Sequence, residues 1–395
     1  MNDCIRIGLM VYNFHIEKGG GGITRCAIGI AQKLDSTKFK VSILGLGHTG
    51  TEAEDRCIRH LNKQGVHALA VTPWLENKPY ISFSKAYLNL KHEIKRHPVD
   101  ILHSHSEFTD IAASFLKIQR QIPIILRTTH YGYNIEWRKN PVRRAVLTNF
   151  LYPIVFEMEV GVNPTMRDRL NRRIFARLLG KEALFFNEAV ELDRFEVRNI
   201  DIIAKKNSLG VPPDAQVVGC VGRLVEQKGH TFLLTAIAEV IKTHPDVYYL
   251  IVGDGPLGEE LKVQANDLGI KNRVIFTGSR SDIEELLACL DIFVLASLWE
   301  GMPISILESM ASRTPVLATD IPGTRDLIQH GKNGWLVPPA NPIALSLAII
   351  NLLESPALRN SLALTALDTV QHYSINSVTK RYESIYQSLY AMKVR

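Results

Sequence analysis

Short runs of β-branched and aliphatic residues alternate along the whole chain with longer segments whose apolar positions recur every three or four residues. In the first half, Ile5–Val11, Val41–Leu46, Ile101–His103 and Ile124–Arg127 read as strands, with helices over Thr24–Leu34 and Ser84–Lys95. In the second half, Val217–Val221, Tyr248–Val252, Val274–Phe276, Ile292–Leu295 and Pro315–Ala318 read as strands. Phe232–Lys242, Gly258–Leu268, Asp282–Ala288 and Ile304–Ala311 read as helices. This alternation predicts an α/β protein with parallel sheets covered by helices on both faces. A polar stretch ending in Pro212 and Pro213 separates the halves. The reading is two doubly wound domains, 1–197 and 198–371. The tail, 372–395, carries Tyr382, Ile385, Tyr386 and Leu389 at helical spacing and is expected to pack back on the first domain as a terminal helix.

The bulk numbers fit this division. A chain of 395 residues is too long for one ordinary core, and 46% hydrophobic with 22% charged residues excludes a disordered or low-complexity chain. The five cysteines are odd in number and widely spaced with no C-x-x-C, which points to a reducing compartment rather than a disulfide framework or zinc site. The start of the chain has an acid at Asp3 and only a short apolar run, unlike a signal peptide. The most membrane-like stretch, Ala145–Val162, is broken by Pro153, Glu157 and Glu159 and is not expected to span a bilayer. The expectation is a cytoplasmic protein.

Net charge is +6, but it is local: Arg127–Lys181 holds eleven Lys or Arg against four Asp or Glu. Within it, Met166–Lys181 reads as an amphipathic helix with Met166, Leu170, Ile174, Phe175 and Leu178 on one face. Arg169, Arg172, Arg173 and Arg177 lie on the others. Such a helix suits an anionic membrane surface or is an ordinary packed helix with a solvated face; both readings stand. Nucleic acid is disfavoured, because no aromatic residues interleave with the arginines.

Open parallel sheets bind ligands beyond the carboxyl ends of their strands, so chemistry is expected in the βα loops. Two G-x-G-x-x-G matches, Gly45–Gly50 and Gly253–Gly258, sit wrongly for a dinucleotide fingerprint, since no acid follows at the place that binds a ribose. Glycines 19 to 22, after the first strand, suit close approach to an anion better. After strand Ile292–Leu295 comes Glu300-Gly301-Met302-Pro303, then a helix with Glu308 one turn in. Carboxylates there can accept from hydroxyls while helix amides face phosphate. After strand Val217–Val221, Arg223 and Lys228 can neutralise a diphosphate.

These segments carry a resemblance. G-R-L-x-x-x-K-G at Gly222–Gly229, V-G-D-G-P at Val252–Pro256, F-x-G-x-x-x-D at Phe276–Asp282, the E-x(7)-E pair Glu300 and Glu308, and N-G-W-L-V-P-P at Asn333–Pro339 resemble the retaining glycosyltransferases of family four. The match covers about Val217 to Asn341 closely and the first half loosely. It implies the GT-B fold, two Rossmann-like domains facing across a cleft. It further implies transfer of a hexosyl or N-acetylhexosaminyl unit from a nucleotide sugar, UDP favoured, to a glycan or lipid-linked acceptor at the inner membrane face, as in polysaccharide assembly. Arg223 and Lys228 would hold the diphosphate and Glu308 the ribose. Glu300 with Gly301, Met302, Pro303 and Ile304 would touch the sugar, Ser279 and Arg280 the base, and Gly21 and Gly22 would close on the donor. His105, ending the strand in D-I-L-H-S-H, would face the sugar as a catalytic-site residue, with His130 on the acceptor side. No metal or other cofactor is expected, because there is no D-x-D. Two positions depart from the family pattern. N-E-A-V-E-L-D-R-F stands where N-G-[VI]-D is usual, and Asn163 stands where serine is usual. An epimerase of the same fold and a catalytically silent sugar-nucleotide-binding protein are the alternatives.

Overall fold

In the computed structural model, residues 4–14, 22–75, 79–130, 141–195 and 200–394 are described. They divide into two units, one made of the chain through Ala189 together with the segment from Ile375, the other of Val190–Ser374.

Seven parallel strands form the first unit's sheet: β1 (Ile5–Val11), β2 (Phe39–Gly45), β3 (His67–Ala70), β4 (Ile101–Ser104), β5 (Ile124–Thr129), β6 (Met158–Gly161) and β7 (Leu184–Phe185). Their spatial order is β3-β2-β1-β4-β5-β6-β7. Side chains alternate between faces along a strand. Ile7, Leu9 and Val11 of β1 accordingly enter one core layer while Met10 enters the other. Burial on both faces explains why β1 reads as a near-continuous apolar run.

Helix Ile375–Val394 belongs to this unit. Val378, Tyr382, Ile385, Tyr386 and Leu389 are buried in the layer that holds Ile7 and Leu9. Two of its tyrosines also make polar contacts under the sheet. Tyr386 Oη lies 2.8 Å from His103 Nδ1, and Tyr382 Oη lies 2.9 Å from Thr128 Oγ1.

The second unit's sheet contains β8 (Val217–Val221), β9 (Tyr248–Val252), β10 (Val274–Gly278), β11 (Ile292–Leu295), β12 (Val316–Thr319) and β13 (Trp335–Val337), in the order β10-β9-β8-β11-β12-β13. The sequence boundaries at 197/198 and 371/372 fall instead at Ala189/Val190 and Ser374/Ile375. The cause is local pairing: the Val190 amide donates to the Tyr373 carbonyl at 2.9 Å, and Val190 bridges to Ser374.

The basic helix expected over Met166–Lys181 is two shorter ones, Pro164–Asn171 and Ile174–Leu178. Arg173 lies at the break and is buried rather than on a charged surface. Its guanidinium donates to the Thr148 carbonyl at 2.8 Å and the Leu170 carbonyl at 2.7 Å, and pairs with Glu159. Ile174 and Leu178, expected on the packed face, are exposed, while Met166 and Leu170 are buried. No single helix among the described residues is long and apolar enough to cross a membrane.

Candidate active site

In each sheet the strand order reverses once, between β1 and β4 in the first unit and between β8 and β11 in the second. At such a switch point neighbouring strands send their following loops in opposite directions, which opens a crevice beyond their carboxyl ends. Most residues singled out in the sequence follow these four strands; Ser279 and Arg280 follow β10, and His130 follows β5.

In the second unit, the loop after β8 carries Arg223 and Lys228, and the loop after β11 carries Glu300. Lys228 Nζ donates to Glu300 Oε1 at 2.6 Å, and Ser297 Oγ donates to the same oxygen at 2.8 Å. Gln227 Nε2 donates to the Trp299 carbonyl at 2.9 Å and lies 3.3 Å from Glu300 Oε2. The Leu298 amide donates to the Gln227 carbonyl at 2.8 Å, so backbone as well as side chains joins the two loops. Lys228 and Glu300 are both largely buried, whereas Arg223 is exposed and makes no side-chain bond among the described residues. Gly229 ends the first loop at φ +64, and a Cβ there would lie 2.1 Å from the Ala296 carbonyl oxygen; the left-handed turn and the close approach both require glycine.

Pro303 is the N-cap residue of helix Ile304–Ala311, and Glu308 is buried on that helix. Gly323 begins the support beneath: a Cβ on it would come within 2.5 Å of the Gly301 carbonyl oxygen and 2.7 Å of that of Glu300. Thr319 Oγ1 donates to the Ser297 carbonyl at 2.5 Å. Ser279 has a buried hydroxyl with no partner among the described residues. Arg280 is committed to Asp282 through two bonds, 2.8 and 2.6 Å. That pair, reinforced by Lys205, holds the Asp282 carboxyl well below the usual carboxylate range.

In the first unit, the His105 amide donates to the Met10 carbonyl at 3.2 Å, fixing the end of β4 to the end of β1. His105 Nδ1 lies 3.1 Å from His130 Nε2, and His130 Nδ1 is hydrogen-bonded to Glu188 Oε1. All three side chains are buried. His105 Nε2 is buried with no hydrogen-bond partner among the described residues. Burial, with smaller contributions from His103 and His130, pushes His105 well below the usual histidine range, so its ring is neutral. Burial also pushes the Cys26 thiol beside Glu188 well up, so it remains a thiol. His103 differs from His105: both of its ring nitrogens are satisfied, by Tyr386 and by Thr128 Oγ1 at 2.7 Å, and its role is structural.

A family model of glycosyl transferases group 1 matches residues 201–367, and one of glycosyltransferase family 4 matches residues 20–174. The chain belongs to the glycosyltransferases of family four. It is 28% identical over 278 residues to an Escherichia coli UDP-Gal:alpha-D-GlcNAc-diphosphoundecaprenol alpha-1,3-galactosyltransferase, spanning 69% of this chain and 71% of that protein. It is 35% identical to the lipopolysaccharide core biosynthesis glycosyltransferase LpsE of Rhizobium meliloti, over 46% of this chain and 52% of that one. Its fold is that of Anabaena Alr3699/HepE, solved with UDP-glucose, at a TM-score of 0.80 and 20% identity over 97% of this chain and 100% of the other.

Within this glycosyltransferase, Gly22 is the first residue of helix Gly22–Lys33, and Gly21 lies outside the described residues. Asn163 caps the helix that follows β6, its side chain accepting from the Met166 amide at 2.7 Å. Arg169, Arg172 and Arg177 are exposed; only Arg173 leaves the expected patch. Among the described residues one group has metal-ligand proximity, His67, Glu93 and His97. His67 opens β3, the edge strand, at the end of the sheet opposite the loops after β1 and β4.

Sequence reading missed Glu188, which it took only as a departure from the family pattern. It also missed Glu54. That buried carboxylate accepts from the Phe14 amide at 2.9 Å and from the Thr49 amide at 2.6 Å, tying together the loops after β1 and β2. Glu188 stands beside the apolar residues Ala189 and Val190, whereas Glu54 is one of three acids in a polar first turn and carries no signal in the sequence.

Proposed function

We propose that this glycosyltransferase transfers a hexosyl or N-acetylhexosaminyl unit from a UDP-sugar to a glycan or lipid-linked glycan acceptor, with retention of anomeric configuration and without a divalent metal. The observation that carries the reading is the Lys228–Glu300 junction at the β8/β11 switch point, with exposed Arg223 beside it and buried Glu308 on the adjoining helix. The nucleotide in the HepE complex and the donor and acceptor named for the Escherichia coli relative support UDP and a lipid diphosphate-linked glycan.

A departing UDP gains negative charge as the glycosidic bond breaks, and that charge must be met by groups already in position. Arg223 offers a forked donor to the diphosphate, and Lys228 a point charge oriented by Glu300. Glu308 accepts from the ribose hydroxyls. Glu300 Oε1 is taken by Lys228 and Ser297, so Oε2, with only a long contact to Gln227, is the oxygen left for a sugar hydroxyl. Because Arg280 is tied to Asp282, the base contact falls to the buried Ser279 hydroxyl and the backbone beside it.

His105 supplies a hydrogen-bond acceptor to a sugar hydroxyl. With Glu188 Oε1 accepting from His130 Nδ1, His130 Nε2 is the atom that accepts from the Nδ1–H of His105. The lone pair of His105 is thereby directed to Nε2, the atom without a partner.

The test is isothermal titration of UDP, GDP and ADP. UDP should bind most tightly, and Glu308→Ala should weaken it by about 1.5–3 kcal/mol. Unchanged affinity in that variant would remove Glu308 from the donor site. The site of action is assigned to the inner face of the cytoplasmic membrane, where lipid-linked acceptors are assembled.

A further inference from the structure

The segment from Pro141 to Val155 is helical throughout, with a π-helical turn at Leu147–Leu151 between two α-helical pieces. Val142, Val146, Phe150 and Ile154 on it are exposed. In a regular α-helix each four-residue step overshoots a full turn by about 40°, so such a row drifts around the axis. A π turn holds more residues and rotates less per residue, which offsets the drift. The four side chains therefore stay on one solvent-facing stripe. Helix Ile174–Leu178 lies against it, Phe150 and Phe175 having ring centroids 4.9 Å apart, and it adds exposed Ile174 and Leu178. All six are between 47% and 76% exposed, far more than scattered surface apolar residues require.

The surroundings are basic. Arg172 and Arg177 flank Ile174 and Leu178, are exposed, and form no ion pair among the described residues. Arg143 beside Val142 is paired with Glu107 at 2.7 Å and lies 3.4 Å from the hydroxyl of exposed Tyr80, so among the described residues the unpaired charge of this face is that of Arg172 and Arg177. Lys181 donates to the Phe156 carbonyl at 2.7 Å, fixing the far end of the stripe.

We infer that this face is a membrane-docking surface, with the six apolar side chains entering the acyl boundary of an anionic bilayer and Arg172 and Arg177 engaging its headgroups. Apolar side chains bordered by arginines complement a negatively charged bilayer, which offers hydrocarbon beneath and phosphate around it. The occupant is lipid rather than a protein face because both halves of the chemistry are matched together. The inference deepens the reading of a lipid-linked acceptor but is tested without turnover, so its failure leaves the donor site standing.

The experiment is co-sedimentation of the full chain with phosphatidylcholine vesicles, with and without phosphatidylglycerol. The wild-type protein should sediment with the anionic vesicles only. Ile174→Gln with Leu178→Gln should lower partitioning about tenfold at any salt concentration. Arg172→Gln with Arg177→Gln should lower it roughly tenfold at low salt and little at high salt. Melting temperature and UDP affinity should be unchanged in both variants. Absence of wild-type binding, or binding indifferent to the apolar changes, would overturn the inference. So would a concentration-dependent dimer abolished by those changes, which would assign the surface to a second copy of the chain.

Discussion

Lys228 Nζ meets Glu300 Oε1 at 2.6 Å, and this bond joins the two loops that flank the strand reversal of the second sheet. The cation proposed to meet the diphosphate is thus held by a carboxylate that also accepts from Ser297. If the pair acts as one unit, its two members are not independent. Lys228→Met and Glu300→Gln should each lower kcat by about 10²–10³, and the double variant by little more than either. Additive losses in single-turnover assays would show that the two side chains act separately.

Gly323 bears on the same loop from below. A methyl group in place of its hydrogen would collide with the carbonyl oxygens of Glu300 and Gly301. Gly323→Ala should cost about 1–3 kcal/mol of stability and weaken UDP binding, although the residue touches no ligand. Full affinity in this variant would mean that the loop has slack.

The buried chain from Glu188 through His130 to His105 predicts a kinetic signature. His105→Ala should lower kcat/KM about tenfold, as expected for one lost hydrogen bond. Glu188→Gln should lower it in part, because the acceptor that orients His130 toward His105 is weakened. An unchanged kcat/KM in this variant would reduce Glu188 to a packing residue.

The neutral buried histidines also set a stability trend. Burial pushes His230 down to about 4 and His103 and His105 well below the usual range. An unfolded histidine titrates near 6.5, at about that value or just below it in most chains. Below that pH the unfolded chain takes up protons that the native chain refuses. Stability should then fall as pH falls, by about 1.4 kcal/mol per pH unit for each such histidine. Urea unfolding at pH 7.5 and 5 measures this, and His230→Gln should make the second unit's decline shallower. An identical decline would mean that His230 is protonated in the native state.

Much of the second unit was legible because its candidate site residues sit in short βα loops directly after apolar strands, where parallel sheets place chemistry. Strands such as His67–Ala70 and Leu184–Phe185 are too short to show a period. Helix Met166–Lys181 was misread because Arg173 looks like any surface arginine until Glu159 and the Thr148 carbonyl are seen around it. The part of the stripe from Val146 to Ile154 was read only within Ala145–Val162, a stretch not expected to span a bilayer, since nothing in the residues announces a π turn. Glu188 and His130, far apart in sequence, meet only through the fold.

Donor turnover with and without EDTA tests the central claim most directly. With a UDP-sugar and a lipid diphosphate-linked glycan, transfer should persist in excess EDTA, because Arg223 and Lys228 supply the positive potential at the leaving group. Arg223→Ala should reduce kcat on the order of 10²–10³ with its melting temperature unchanged. Transfer abolished by EDTA and restored by Mg²⁺ or Mn²⁺, or an Arg223→Ala enzyme of full activity, would contradict the account.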